Sequence, residues 1–579
     1  MILQALTQYY ENLLTLGIIA RPGWGQSKVS YGLNLADDGT LLGLLPLKTE
    51  QQRGKKNVLA PQVMEVPMPV KRSSEVSANF LCDASGYMLG VDDKGKPQRT
   101  AECYTACKTL HLTLLSQAQS AAARAVVAFF NRWDPAQAFS HPALANQWEE
   151  LMKGANLIFW YKNAPLTEEP EVRMLWQTHY DQNSTGSIIR CLVTGEKAPL
   201  EKTHPSIKGV QGAQMAGAAL VSFNAPSFCS YGHIQGENAP VGTYAAFAYT
   251  TALNYLIADR NHVQRIGDTT VVCWAAGGQS AYQDCGMAAL YGGDTNDERD
   301  ILAVLHKLAN GEPVYWDGTE LQPDTHFYVL GLAPNAARIS VRFFWQDSFG
   351  ALARNVQQHY NDLNIIRPSY DKKEFLSIWS LLNETVNKNS RDSTPTPQMA
   401  GDVLLAVLTQ GQYPATLRNG VAMRIRAERQ ITRGRAAILK AYYKRSKNEK
   451  CPEEVLQVKL NDQCDYLPYV LGRLFLVLEM VQNDVNPDLN VTIRDKYFNS
   501  ASATPAIVFP RLMNLAQKHL HKMNIAKKVF YNKQITELMA KIGETFPERM
   551  SLPEQGAFQI GYYHQMQQHF TKKEEQVND

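Results

Sequence analysis

Residues 207–232, IKGVQGAQMAGAALVSFNAPSFCSYG, could bring backbone close to a ligand. Gly209, Gly212 and Gly217 punctuate a run in which Lys208 carries the only formal charge. Gly212 and Gly217 have the separation of the two glycines in the phosphate-binding loop G-x-x-x-x-G-K-[ST]. Ala218 and Ala219 stand where that loop needs its lysine and hydroxyl, and no G-x-G-x-x-G fingerprint is present. Two readings of the stretch remain. The glycines could permit close backbone packing. Alternatively Lys208, Gln211, Gln214, Asn224, Gln235 and Asn238 could hydrogen-bond base edges or sugars.

Other clusters are weaker. Cys103, Cys107 and His111 recur every four residues and share a helical face. A metal there would lack a fourth ligand, so small buried residues on a core face is the better reading. GDTNDERD (293–300) starts like a calcium loop. Arg299 occupies the position that needs glycine and Leu305 the one that needs glutamate, so helix capping fits better. His204, His233 and His262 have no evident carboxylate or nucleophile nearby in sequence, and neither HExxH nor GxSxG occurs. The residues therefore predict no enzyme, no metal and no cofactor.

The largest local charge lies at 417–447. Arg418, Arg424, Arg426, Arg429, Arg433, Arg435, Lys440, Lys444, Arg445 and Lys447 stand there against Glu428 alone. A solvated helix face usually mixes both signs, so this run predicts contact with a phosphate backbone.

A chain of 579 residues exceeds what one hydrophobic core organises. Net charge is only +3, so whole-chain charge gives no argument for nucleic acid. Nine irregularly spaced cysteines predict reduced thiols in a cytoplasmic protein. The N-terminus has no positively charged n-region and no apolar run is long enough to span a bilayer, which predicts neither secretion nor a membrane.

The pattern predicts α+β. A large mixed domain of antiparallel strands and helices (1–395) precedes an all-α helical bundle (396–579), with NKNSRDSTPTPQ (387–398) as linker. Helices are predicted at 6–16, 101–121, 143–153, 240–260, 401–410, 421–446, 466–483, 504–523, 525–543 and 555–570. Strands are predicted at 187–195 and 269–276, with hairpins over 28–47 around Asp38-Gly39 and over 326–345 around Pro334-Asn335. In the second hairpin Ile339, Val341 and Phe343 should face one side and Arg338, Ser340 and Arg342 the other. Residues 51–80 are too polar and proline-broken for a core strand and read as an exposed basic loop.

Several stretches carry a resemblance. They are NFLCDASGYMLG (79–90), CLVTGE (191–196), HPSIKGVQGAQMAGAALVSFNAPSFCSYG (204–232), NAPVGTYAAFAYTTALNYLI (238–257), FYVLGLAPNAARISVRFFW (327–345), RIRAER and RAAILKA (424–441), YVLGRLFLVLE (469–479) and TIRDKYFNSASATPAIVFPRL (492–512). In this order they run over most of the chain, which resembles the large subunit of the type I-C CRISPR Cascade complex. The resemblance implies a non-catalytic subunit of a crRNA-guided DNA surveillance complex. Such a subunit reads the protospacer-adjacent motif on double-stranded DNA, typically 5′-TTC, helps open the duplex, stabilises the R-loop and recruits the helicase–nuclease. Implied partners are crRNA, target DNA and the backbone, handle-binding and small subunits. The helical C-terminal part resembles the small subunit, which this subtype also makes by internal translation.

Guide pairing supplies sequence specificity in such complexes, so the protein need read only a short motif and hold backbone. Residue chemistry then assigns candidate DNA contacts. Lys55, Lys56, Lys71, Arg72 and Asn79 would touch the duplex. Lys208, Gly209, Gln211, Gln214 and Asn224 would read or wedge the motif. Arg338 and Arg342 would line a strand face, and Arg424, Arg426, Arg429, Arg433 and Arg435 would guide a strand. The alternatives are a nucleotide-dependent hydrolase or nuclease, and a purely architectural crRNA-binding subunit.

Overall fold

The computed structural model describes residues 1–53, 56–70, 72, 75–182, 186–260, 262–292, 298–388 and 394–578. The architecture is α+β, with sheets in the N-terminal part and helices throughout the C-terminal part. The chain forms two compact units. The first comprises Leu3–Pro205 and Ser222–Ala252, the second Ser206–Val221 and Leu253–Asp579.

In the first unit, α1 (Ile2–Thr15) buries Leu6, Tyr9, Tyr10 and Leu13, one apolar stripe at helical spacing. Strands β1 (Trp24–Val29), β2 (Tyr31–Leu35) and β3 (Leu41–Pro46) follow. ADDGT closes the β2–β3 hairpin as its sequence predicts: the Thr40 amide donates to Asp38 Oδ1 at 3.0 Å. That bond and the Arg132 guanidinium hold the Asp38 carboxyl at about 2, below the usual carboxylate range.

Within the loop expected at 51–80, residues up to 67 depart from that reading. They form β4 (Lys48–Arg53) and the long β5 (Lys56–Pro67), which pairs with β1 on one side and β4 on the other. Alternation explains it: Ala60, Met64 and Val66 turn inward while Leu59 and Val63 stay exposed, so one face suffices for a small antiparallel sheet. A second sheet runs in the order β3-β2-β7-β6, with β6 at Cys82–Ala84, β7 at Asn156–Tyr161 and the short strand Ala164–Pro165 beside β7. Helices α2 (Pro97–Leu115) and α3 (Ala121–Arg132) share its apolar core. The helix expected at 101–121 ends at Leu115, and a further helix, α3, follows from Ala121 with Ser120 as its cap. The helix expected at 143–153 is α-helical only over Trp148–Met152, and the strand expected at 187–195 narrows to Ile188–Arg190.

Helix α4 (Thr243–Ala258) carries the division between the units. The second unit holds an antiparallel sheet of β8 (Val263–Ile266), β9 (Thr269–Ala275), β10 (His326–Asn335) and β11 (Arg338–Ser348). The β10–β11 turn is Ala336-Ala337, two residues beyond the expected Pro334-Asn335. Leu332 pairs with Val341 but Gly331 pairs with Phe343, so Arg342 is a bulge residue. This corrects the predicted alternation. Val341 and Phe343 lie on opposite faces, and Val341 is 40% exposed while Phe343 is buried.

Helices α5 (Ser280–Tyr291), α6 (Phe349–Leu363) and α7 (Pro397–Leu408) cover the Phe343 face. The expected boundary at 395/396 falls inside this unit, whose apolar core includes both Phe343 and, from α7, Val403 and Val407. After α7 the chain continues as α8 (Ala415–Glu428), α9 (Arg433–Arg445), α10 (Leu467–Val485), α11 (Ile493–Ala503), α12 (Pro505–Leu520), α13 (Ile525–Ile542) and α14 (Leu552–Asn578). The helix expected at 421–446 breaks into α8 and α9: Arg429 turns left-handed at φ 53°, and the Thr432 hydroxyl accepts from the Arg435 amide at 3.1 Å. Helix α11 is additional to the expected set. No helix among the described residues is long and apolar enough to cross a membrane.

Candidate nucleic-acid interface

Residues 206–221 belong to the second unit and form a pinned loop. At its base Ile207 and Ala218 exchange both backbone hydrogen bonds, each 2.9 Å. Ala219 then docks on β11, accepting from the Ile339 amide at 2.9 Å. The Asn254 side chain clamps the entrance, accepting from the Lys208 amide at 2.8 Å and donating to the Ser206 carbonyl at 3.1 Å. The Gln211 amide donates to Thr270 Oγ1 of β9 at 3.0 Å, and Val210 is buried beneath the loop.

Two consecutive turns shape the projecting part. The Ala213 amide donates to the Val210 carbonyl, and the Gly217 amide to the Gln214 carbonyl. Gly212, at φ +75°, occupies the third position of the first turn, where a type II turn needs positive φ. Gly217, at φ +96°, crosses the base so closely that a Cβ would lie 2.8 Å from the Ile207 carbonyl oxygen. These glycines serve packing, the first of the two readings of the stretch. They also leave Lys208, Gln211 and Gln214 exposed, and Met215, next to Gln214, is 100% exposed. The side chains of Lys208, Gln211 and Gln214 make no hydrogen bond or ion pair among the described residues, so an incoming group can use them. Asn224 is exposed in the first unit.

The basic run at 417–447 is different from its sequence reading. Arg435 is 1% exposed and bonds Glu428 at 2.5 Å, Glu384 at 3.3 Å and the Gln430 carbonyl at 2.9 Å. Arg433 is buried against Asp371 at 2.9 Å and the carbonyls of Lys373 and Glu374. Arg418 pairs with Glu449, and Lys444 and Arg445 converge on buried Asp362. Lys440 Nζ donates to the Asp362 carbonyl at 2.9 Å, and burial, with Lys444 nearby, lowers its amine to about 8. The expected phosphate-guiding face is thus corrected for Arg433 and Arg435, whose charges are neutralised by carboxylates up to about sixty residues away in sequence. Arg424 pairs with Glu428 at 3.6 Å. Arg426 stays exposed, donating to Gln555 at 2.9 Å, and Arg429 is half-buried.

Of the N-terminal candidates, Lys55 and Lys71 lie outside the described residues. Lys56 opens β5, opposite Arg53. Arg72 is consumed internally: it pairs with buried Asp83, donates to the Ser77 carbonyl and lies 3.9 Å over the Tyr87 ring. Asn79 accepts from the Val70 amide at 2.9 Å, a loop-closing role. In β11, Arg342 pairs with Asp268 at 2.6 Å, and the Arg338 backbone lies beside Ala219.

A basic surface that the sequence reading passes over lies on α12 and α13. Residues 511–541 carry seven Lys or Arg against Glu537 alone. Lys518, Lys522, Lys527 and Lys533 are exposed, with Phe530 partly exposed among them. The same charge count that singled out 417–447 would have found this run. The difference lies in the partners: Lys527 has Asp484 at 3.3 Å, whereas no ion pair is formed by Lys518 or Lys522 among the described residues.

His111, His204 and His262 are held by internal bonds, whereas His233 is exposed. His111 is fully buried; its Nδ1 bonds the Cys107 carbonyl, its Nε2 accepts from the Leu81 amide at 2.9 Å, and burial lowers it to about 4. This bears out the core reading of the Cys103–Cys107–His111 face. His204 bonds the Tyr249 hydroxyl at 2.6 Å. His262, expected to lack a carboxylate partner, has two: Nδ1 meets Asp259 and Nε2 meets Asp284, each at 2.6 Å. Among the described residues no group of three or more His, Cys, Asp or Glu could hold a metal ion.

Comparison with known families gives a match to the CRISPR-associated Cas_Csd1 family over residues 6–570, nearly the whole chain, so the chain belongs to that family. No curated protein matches it.

Proposed function

We propose, starting from membership of the Cas_Csd1 family, that the chain is the non-catalytic large subunit of a crRNA-guided DNA surveillance complex. In this reading it recognises the protospacer-adjacent motif on duplex DNA, assists opening, stabilises the displaced strand and recruits a helicase–nuclease. Its partners are crRNA, target DNA and the backbone, handle-binding and small subunits. The helical region after 396 is the part that resembles the small subunit.

The pinned loop at 206–221 supports the motif-reading step. A loop that inspects a groove must keep its shape while offering unpaired donors and acceptors, and this one does both. Gln211 and Gln214 are amides suited to base edges. Met215, beside Gln214, is fully exposed, and apolar side chains of this kind wedge between base steps. Lys208 offers a phosphate contact at the loop's base. The exposed lysines of α12 and α13 support holding a displaced strand, with Phe530 as a stacking platform. None of these steps needs an acid, a base or a metal, because guide pairing supplies specificity.

The test is duplex binding by the reconstituted complex with matched and altered adjacent motifs. The double variant Gln211→Ala, Gln214→Ala should lose about tenfold or more in motif discrimination, the effect of about one good base contact. Met215→Gly should slow duplex opening while leaving binding to a pre-opened bubble intact. Unchanged motif preference in the glutamine variant would reduce the loop to a packing element.

A further inference from the structure

The hairpin that holds the loop at 206–221 supplies a cation outside the basic runs of the sequence. Strands β8 and β9 join through Gly267-Asp268, and Arg265 lies directly opposite Thr270. Residues opposite each other in an antiparallel pair share a face of the sheet. Both of them grip the loop. Thr270 Oγ1 accepts from the Gln211 amide at 3.0 Å, and Arg265 Nη2 donates to the Gly209 carbonyl at 3.4 Å. Thr270 is fully buried, whereas Arg265, on the edge strand, is exposed. A guanidinium is a planar fork of several N–H donors, and one long bond to a carbonyl leaves most of them available. Lys208, the residue before Gly209, is exposed as well. The carboxylate of the hairpin, Asp268, is taken by Arg342 of β11 at 2.6 Å. Lys208 and Arg265 thus flank one peptide, and neither side chain forms an ion pair among the described residues.

We propose that Arg265 and Lys208 together hold one backbone phosphate of the duplex, next to the motif that the loop reads. The assignment rests on the reading of that loop as the motif-recognition element, and it names the part of the DNA that would fix the loop's register. Phosphate contacts set position and orientation, while base contacts set sequence. Gln211 and Gln214 need such a fixed point if their amides are to meet the same base edges on every target. Two exposed cations without a neighbouring carboxylate raise the local potential, and an anion is what that potential attracts. The residue types divide the work. Forked guanidinium N–H groups match phosphate oxygens two at a time, and the lysine adds a point charge. Arg265 also holds the Gly209 carbonyl, and its cross-strand partner Thr270 holds the Gln211 amide. One strand pair therefore places both the phosphate and the reading amides, so a contact made by Arg265 is transmitted to the loop through two bonds.

The experiment assembles full-length Arg265→Gln with crRNA and the other subunits and measures duplex binding over a salt series. The log–log slope should fall by about 0.9, the loss of one phosphate contact. Matched and altered motifs should weaken by the same factor, because a phosphate contact carries no sequence information. Arg265→Lys keeps the charge and should restore the slope. A second set of duplexes replaces one phosphate at a time along the motif by an uncharged methylphosphonate. The native complex should lose affinity at one position to which Arg265→Gln is insensitive, the signature of a direct pair. An unchanged slope, a slope that Arg265→Lys leaves low, or a variant that senses every position the native complex senses overturns the proposal. Poorer incorporation of Arg265→Gln into the complex also overturns it, because the partner would then be crRNA or an acidic face of another subunit. The side chain is exposed, so the melting temperature of the free chain should stay native; a lowered one would assign Arg265 to the fold instead. Failure here and failure of the loop reading are separable: the Gln211 and Gln214 variants report motif preference, whereas Arg265→Gln reports the salt slope.

Discussion

Arg435 offers the sharpest test of how the basic run at 417–447 is used. Replacing it with methionine keeps the aliphatic length and removes the charge. The guanidinium is 1% exposed and holds Glu428 at 2.5 Å, Glu384 at 3.3 Å and the Gln430 carbonyl. Removing one partner of a buried ion pair costs about 3–5 kcal/mol, because the other charge stays buried and uncompensated. Here the carboxylates keep other partners: Glu384 retains Thr432 at 2.9 Å and Lys388 at 3.4 Å, and Glu428 retains Arg424 at 3.6 Å. The lower end of that range, about 3 kcal/mol, is therefore expected. A unit this large moves by roughly 2 °C per kcal/mol, so Arg435→Met should lower Tm by about 6 °C, read by thermal unfolding of the full chain. A phosphate-binding arginine would behave oppositely. Its loss would spare Tm and flatten the salt dependence of DNA binding by about 0.9 in log–log slope. An unchanged Tm with a flattened slope would refute the buried-pair reasoning.

Exposed lysines should show that second behaviour. Lys518→Ala with Lys522→Ala should leave Tm in place and reduce the salt slope of DNA binding by about 1.8, and an unaltered slope would remove α12 from the strand path. His262 makes stability depend on pH. Burial alone would lower its pKa, but the bonds to Asp284 and Asp259 outweigh burial and raise it. A raised folded-state pKa stabilises most fully below the unfolded value near 6.5, and that contribution is lost as pH rises through the folded pKa. Tm should accordingly fall as pH rises above neutrality, and His262→Asn should flatten that fall; parallel pH profiles would contradict the imidazolium assignment. Gly217→Ala forces a side chain against the Ile207 carbonyl at a left-handed residue. Hydrogen exchange across 206–221 should accelerate by about tenfold or more, the effect of roughly 1–3 kcal/mol of local strain; native exchange would mean that the loop base adapts.

Where local chemistry decides backbone geometry, the sequence was legible. Asp38-Gly39 between apolar runs closes a hairpin at the expected place, and the β-branched run at 269–276 is a strand. The missing lysine and hydroxyl after Gly217 excluded a phosphate loop. The order of matching stretches identified the family. Residues 51–67 were misread as loop because proline and charge were weighed above the alternation of Ala60, Met64 and Val66, which satisfies a sheet buried on one face only. The Arg342 bulge could not be read, since one inserted residue reverses every side chain beyond it.

What the sequence determined by itself is therefore the set of local conformations, the glycine positions and the family. The tertiary structure alone decided which charges are available. Both 417–447 and 511–541 read as basic, but Asp362, Asp371, Glu384 and Glu449 fold onto the first run and leave Lys518 and Lys522 on the second exposed. A residue's φ and ψ preferences depend on its neighbours in the chain. The availability of its charge depends on carboxylates brought in from distant segments, because burying an unpaired ion is too costly to persist.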